Sequence, residues 1–160
     1  IPELPQYPNV LVGRTFSKAF GLAGIRIGAI TGAPEALEPI RLAVPVYSVN
    51  VAALAAVEAA LADREYVADY LRQVDESRRL VYDACERLGL RYWPSSANFV
   101  LVHAGPQVGA VIDGAQQRGI YLRDRSTEPG CAGCLRISTG VVEHTRRCID
   151  VLEEVLCAAR

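Results

Sequence analysis

Between residues 51 and 88 the chain has neither proline nor glycine, and this run limits the possible folds more than any other feature. Nothing in it interrupts α-helical geometry. Val67, Leu71, Val74, Val81, Cys85 and Leu88 recur at steps of three, four or seven, which puts them on one side of a helix. The spacing predicts one long helix or two joined helices, terminated by Gly89. The charges of Asp75, Glu76, Arg78, Arg79, Glu86 and Arg87 fall mostly off that stripe and read as a solvated face.

Ahead of the helix stands Thr15-Phe16-Ser17-Lys18-Ala19-Phe20-Gly21-Leu22-Ala23-Gly24-Ile25-Arg26-Ile27-Gly28. Apolar runs at 10–12 and 25–30 flank its turn, and glycine permits both the sharp turn and close approach of a ligand. Thr15 and Ser17 offer hydroxyl donors, and Arg26 offers a planar charged fork suited to two phosphate oxygens. Lys18 lies between them as an amine. Amines become nucleophiles when desolvation or nearby positive charge favours the neutral form. A lysine beside a phosphate cradle is what covalent capture of a phosphorylated aldehyde requires, and pyridoxal 5'-phosphate, bound as a Schiff base, is the aldehyde that fits. The plainer reading is a surface lysine and a helix-pairing arginine near a glycine-rich turn.

Around this loop the pattern predicts strands at 9–13 and 25–31 and a short helix at 35–42, with Pro34 at its start and Pro39 inside. Ser48 or Asn50 is the expected N-cap of the next helix. After Gly89 come a strand at 98–102, a helix at 107–118 closed by Gly119, and a strand at 120–123. A turn-rich loop at 126–133, a strand at 135–138 and a final helix at 143–158 follow. That last helix carries Cys148, Val151, Leu152, Val155 and Leu156 on one side.

Two of these strands hold an arginine among apolar neighbours, Arg123 after Leu122 and Arg136 between Leu135 and Ile137. An arginine inside a buried strand needs an anion. By spacing alone that anion is either a local carboxylate such as Asp124 or a ligand.

Composition narrows the function classes. With 51% hydrophobic residues and a net charge of −1, the chain lacks the basic excess that nucleic acids attract and the charge runs suited to a membrane surface. Its most apolar stretch, 42–62, contains Pro45, Ser48, Asn50 and Glu58, so it reads as a turn plus a packed helix. Of five cysteines, Cys131 and Cys134 have CxxC spacing. A zinc site would want a second ligand pair, and His103 and His144 are not at ligand spacing. The cysteines therefore read as small buried hydrophobes with a turn at Cys131, and no metal is expected. An odd count fits a reducing cytoplasm. The chain starts at Ile1 and contains no methionine, so the expectation is the C-terminal part of a longer protein.

The wording of residues 15–28, with Arg26 eight positions after Lys18 and Gly28 two further on, resembles the lysine motif of the class I/II aminotransferases, which are fold-type-I pyridoxal-phosphate enzymes. It is most similar to the histidinol-phosphate aminotransferase branch. The resemblance implies an α/β fold, the C-terminal part of a fold-type-I transferase: the end of a large-domain sheet, a long connecting helix and a small α+β domain. On this basis residues 1–70 belong to the large cofactor-binding domain plus the start of the connecting helix, and residues 71–160 form the small domain. Lys18 is implied as the Schiff-base lysine, and Thr15, Ser17 and Arg26 as the groups that hold the phosphate of pyridoxal 5'-phosphate. Leu135-Arg136-Ile137-Ser138-Thr139-Gly140 looks like the family's carboxylate-binding segment, and Arg123 matches an arginine that helps bind the substrate phosphate. Arg125 is the alternative for Arg123, and Asn98, in Ser96-Ala97-Asn98-Phe99, is taken as structural.

The implied reaction is transamination of histidinol phosphate with 2-oxoglutarate and glutamate in histidine biosynthesis. Other amino-acid aminotransferases, amino-acid-phosphate decarboxylases and a non-catalytic sensor module remain alternatives. The implied partners are a small amino donor and a 2-oxo acid, with a homodimeric assembly and Tyr47 near the neighbouring subunit. The family's ring-binding residues precede the lysine motif and have no match here, so the isolated piece is expected to be nearly inactive.

Overall fold

The computed structural model describes residues 2–158. The chain parts into two units, residues 1–67 and residues 68–160.

The first unit opens with a single 3-10 turn at Leu4–Gln6 and a two-stranded antiparallel hairpin. Strand β1 (Val12–Thr15) pairs with β2 (Gly28–Thr31) in a register that sets Val12 against Thr31 and Thr15 against Gly28. Both strands start three residues later than the expected strands at 9–13 and 25–31. The expected start of β2 is instead a 3-10 turn at Ala23–Ile25. Gly28 is needed for the pairing, because a Cβ there would lie 2.8 Å from the Arg14 carbonyl oxygen.

Helix α1 (Pro34–Ala43) carries Pro34 in its first turn, where its missing N–H costs nothing, and continues through Pro39. Helix α2 (Val51–Ala62) is capped by Asn50, whose Oδ1 accepts from the Ala53 N–H at 2.8 Å. The proline-free run resolves into two helices, α2 and α3 (Arg64–Leu88). The break is at Asp63, whose non-helical backbone ends α2 while its carboxylate accepts from the Tyr66 N–H at 3.0 Å. An aspartate can start a helix as well as any glycine can stop one. Leu42, Val46, Tyr47 and Val51 are 77–95% exposed.

The second unit is a four-stranded antiparallel sheet in the order β3-β4-β6-β5, formed by β3 (Arg91–Trp93), β4 (Phe99–His103), β5 (Arg123–Asp124) and β6 (Cys134–Ser138). Val100 and Val102 of β4 pair with Ile137 and Leu135 of β6. All four are buried in a core with Val81, Ala84 and Cys85 of α3 and Val111 and Ala115 of α4 (Val108–Gln117). Cys148, Ile149, Val151, Leu152, Val155 and Leu156 of α5 (Val142–Ala158) complete it. Burial pushes the Cys85 and Cys148 thiols up to about 11, in keeping with their reading as small hydrophobes.

Four local expectations change. Strand β3 was not expected, because a three-residue edge strand between Gly89 and Pro94 carries no alternation to read. The strand at 120–123 shrinks to Arg123–Asp124, since the Ile120 N–H is used to close α4 on Ala115 O at 2.9 Å. Leu71, counted on the apolar stripe, is 50% exposed, whereas Ser77 is fully buried and donates to Gly140 O at 2.9 Å. The charged face of α3 is also less solvated than it reads: Arg78 bonds Asp75 and donates to Ala97 O.

Candidate active site

The hairpin turn of the first unit gathers four of the predicted residues. Thr15 ends β1, its Oγ1 donates to Ser17 Oγ at 2.9 Å, and the same oxygen accepts from the Ser17 N–H at 3.1 Å. The turn is closed by Gly21 N–H to Lys18 O at 2.9 Å and Leu22 N–H to Phe16 O at 3.0 Å, and the Phe16 N–H reaches Ile27 O. Arg26 precedes Ile27 on the returning side of the hairpin. Its backbone is left-handed (φ 60°), the only positive φ of a non-glycine residue among the described residues. Such a conformation is uncommon outside Gly, Asn and Asp, and strain of this kind concentrates at functional sites. One guanidinium N–H is used, from Nη1 to Ala23 O at 2.9 Å; among the described residues no acceptor takes the other four. Lys18 is exposed and is the sole lysine among the chain's 17 lysines and arginines. That solitary amine is a signal the motif reading passed over.

The second unit brings Arg123 and Arg136 together. They are cross-strand partners of β5 and β6, and Leu101 sits opposite Arg136 on its other side. Alternation along β6 sends Leu135 and Ile137 to the core and Arg136 to the open face. The arginines thus lie on the sheet's open face and not in its interior, as their apolar neighbours had suggested. Neither has a carboxylate partner among the described residues. Asp124, the local candidate, instead accepts from the Ser126 N–H at 2.7 Å, and this bond holds its carboxyl below the ordinary carboxylate range. Arg125, the alternative to Arg123, pairs with Glu128 at 3.4 Å.

Arg136 rests over the Phe99 ring, 5.3 Å from its centroid, and its Nε is buried with no partner among the described residues. Phe99 is a contact that sequence reading missed; only the β4–β6 register reveals it. Asn98 uses its carbonyl to accept from the Thr139 N–H at 2.8 Å, an ordering role for the backbone at that position. A cleft of ≈ 420 Å³ opens here, lined by Tyr121, Arg123, Asp124, Arg136 and Ser138 with Ile112 and Leu122. The paired arginines put two positive charges on this cleft, with the Asp124 carboxylate also in its lining.

The chain matches the sequence profile of the family "Aminotransferase class I and II" over residues 1–152. The histidinol-phosphate aminotransferase of Symbiobacterium thermophilum is 41% identical over 150 residues, covering 94% of this chain and 41% of that protein. Its counterpart from Methanopyrus kandleri is 38% identical over 160 residues, covering 97% of this chain and 41% of that protein. The crystal structure of histidinol-phosphate aminotransferase from Sinorhizobium meliloti, in complex with pyridoxal-5'-phosphate, superposes with a TM-score of 0.82 at 32% identity, over 96% of this chain and 42% of that one. The chain spans about two fifths of the length of these relatives, and its α/β architecture is that of the C-terminal part of a fold-type-I enzyme. With the family profile covering nearly every residue, the chain belongs to the class I and II aminotransferases.

Proposed function

We propose that this chain supplies the lysine, the phosphate grip and the substrate arginines of a pyridoxal-phosphate-dependent transaminase acting on histidinol phosphate and glutamate. The observation that carries the reading is the chain's single lysine, set in one turn with two linked hydroxyls and an arginine held in a strained backbone, four of whose donors meet no acceptor among the described residues. That donor set fits a phosphorylated aldehyde: charge-assisted and hydroxyl bonds for the phosphate, one amine for the carbonyl.

In this reading Arg26, Thr15 and Ser17 would hold the phosphate of the cofactor, and Lys18 would be the amine placed to meet its aldehyde. When bound, pyridoxal phosphate supplies a carbonyl that captures amines and a ring that withdraws electrons from the bond being broken. The Lys18 Nζ then takes a proton from the substrate α-carbon as a base and returns it as an acid. Arg136, oriented by the Phe99 face, grips the α-carboxylate of glutamate. Arg123, opposite it, adds the charge that a substrate phosphate requires, since histidinol phosphate has no carboxylate. The division into residues 1–70 of a large domain and 71–160 of a small one belongs to the same proposal, as does a homodimer in which the exposed Tyr47 faces the neighbouring subunit. The relatives' names support the substrate.

The test is the absorbance of the intact protein with pyridoxal phosphate on adding glutamate, histidinol phosphate or phenylalanine. The proposal expects the first two to convert the cofactor to its amine form. Conversion by phenylalanine alone, or release of carbon dioxide from an amino-acid phosphate, would overturn the substrate assignment.

A further inference from the structure

The loop between β5 and β6 holds two thiols that play no part in the transamination proposed above. Cys131 and Cys134 stand at the first and last positions of a turn closed by the Cys134 N–H on Cys131 O at 2.9 Å. Gly133, at its third position, has φ +72°, the value a type II turn demands there. The turn is held from outside as well, since Gly133 O accepts from the N–H groups of Ala104 and Gly105, and Cys134 O accepts from the Arg125 N–H. A turn so closed brings its end Cα atoms within about 7 Å, and disulfides span Cα separations of about 4.4–6.8 Å. The Cys134 side chain folds back over the turn, its Sγ 3.9 Å from Ala132 O.

We propose that Cys131 and Cys134 form a reversible disulfide across this turn when the protein meets a peroxide. The two thiols differ as such a pair requires. Cys131 is partly exposed, while Cys134 is 1% exposed. Burial, with the Cys131 thiol beside it, pushes the Cys134 thiol above its ordinary value. Cys131 is therefore the group an oxidant reaches first. Its thiolate attacks the peroxide, an S–O bond forms as the O–O bond breaks, and hydroxide leaves to become water. The Cys134 sulfur, after losing its proton, then attacks the Cys131 sulfur. The S–S bond forms, the S–O bond breaks and a second water leaves. Two thiols are oxidised and one peroxide is reduced to two waters. The product ties the start of β6, two residues before Arg136, to the loop that precedes it.

The experiment uses the intact protein carrying Cys157→Ser, which removes the exposed thiol. It is treated with hydrogen peroxide, alkylated after unfolding and digested with trypsin. Cys131 and Cys134 fall in one peptide, residues 126–136. The proposal expects that peptide to lose two hydrogens and take no alkyl group, and dithiothreitol to restore both sites. In a Cys134→Ser variant, dimedone is expected to label Cys131. A peptide still alkylated at both cysteines would overturn the proposal. So would one carrying sulfinate at Cys131 with Cys134 free, or a bond to Cys85 or Cys148.

Discussion

Replacing Arg123 with glutamine should stabilise the second unit and, on the proposed role of the cleft, weaken phosphate binding there. The argument starts from register: Arg123 and Arg136 are Cα partners across β5 and β6, and neither has an ion-pair partner among the described residues. Like charges facing each other across a ladder are destabilising by about 0.2–1 kcal/mol at low ionic strength, and the lean of Arg136 over Phe99, away from β5, favours the lower end. Physiological salt, with a Debye length of ≈ 8 Å, removes roughly half of that. The Arg123→Gln protein should therefore unfold with a free energy higher by about 0.2–1 kcal/mol at low ionic strength, and by about half of that in physiological salt. The difference should shrink toward zero in concentrated sodium chloride.

Urea titration followed by the fluorescence of Trp93, the only tryptophan and a residue of β3, reads this unit directly. Inorganic phosphate provides the second arm. A ligand that binds only the folded state stabilises it in proportion to the logarithm of its occupancy, so phosphate should raise the wild-type midpoint and leave that of Arg123→Gln nearly unmoved. Loss of stability in the variant, independent of salt, would refute the reasoning, because it would mean that Arg123 has an attractive partner within the fold.

Two other outcomes follow from local geometry. In Gly133→Ala a Cβ would lie 2.9 Å from Gly105 O on a backbone at φ +72°; the left-handed conformation alone costs about 1–2 kcal/mol, and thermal unfolding should show at least that loss. Asp124→Asn should lower stability at neutral pH, because the Ser126 N–H holds the Asp124 carboxylate below its ordinary pKa. A depressed folded value contributes stability above the unfolded pKa that is lost as pH falls through the folded one, so wild type and variant should converge in acid.

Much of this was legible in the residues. The last helix was, since Cys148, Val151, Leu152, Val155 and Leu156 follow the helical period and are all buried. The lysine turn was legible as a set of candidate groups, because hydroxyls, amine and guanidinium lie within fourteen residues of one another. What resisted reading is set by contacts distant in sequence. The opposition of Arg123 and Arg136 depends on strand register, and so does the Phe99 face beneath Arg136. The break at Asp63 was hidden because a side-chain cap, not a helix-breaking residue, makes it. The left-handed backbone of Arg26 has no sequence signal at all, since side-chain identity would argue against it.

The most direct measurement is to reduce the intact protein with borohydride in the presence of pyridoxal phosphate and map where the cofactor stays attached. Trypsin cuts after Arg14, Lys18 and Arg26 in the unlabelled chain. Attachment at Lys18 blocks the middle cut and yields one peptide, residues 15–26, heavier by the pyridoxyl group, and the Lys18→Ala protein should retain no label. A normal cut after Lys18, with the cofactor attached elsewhere or washed away, would contradict the account.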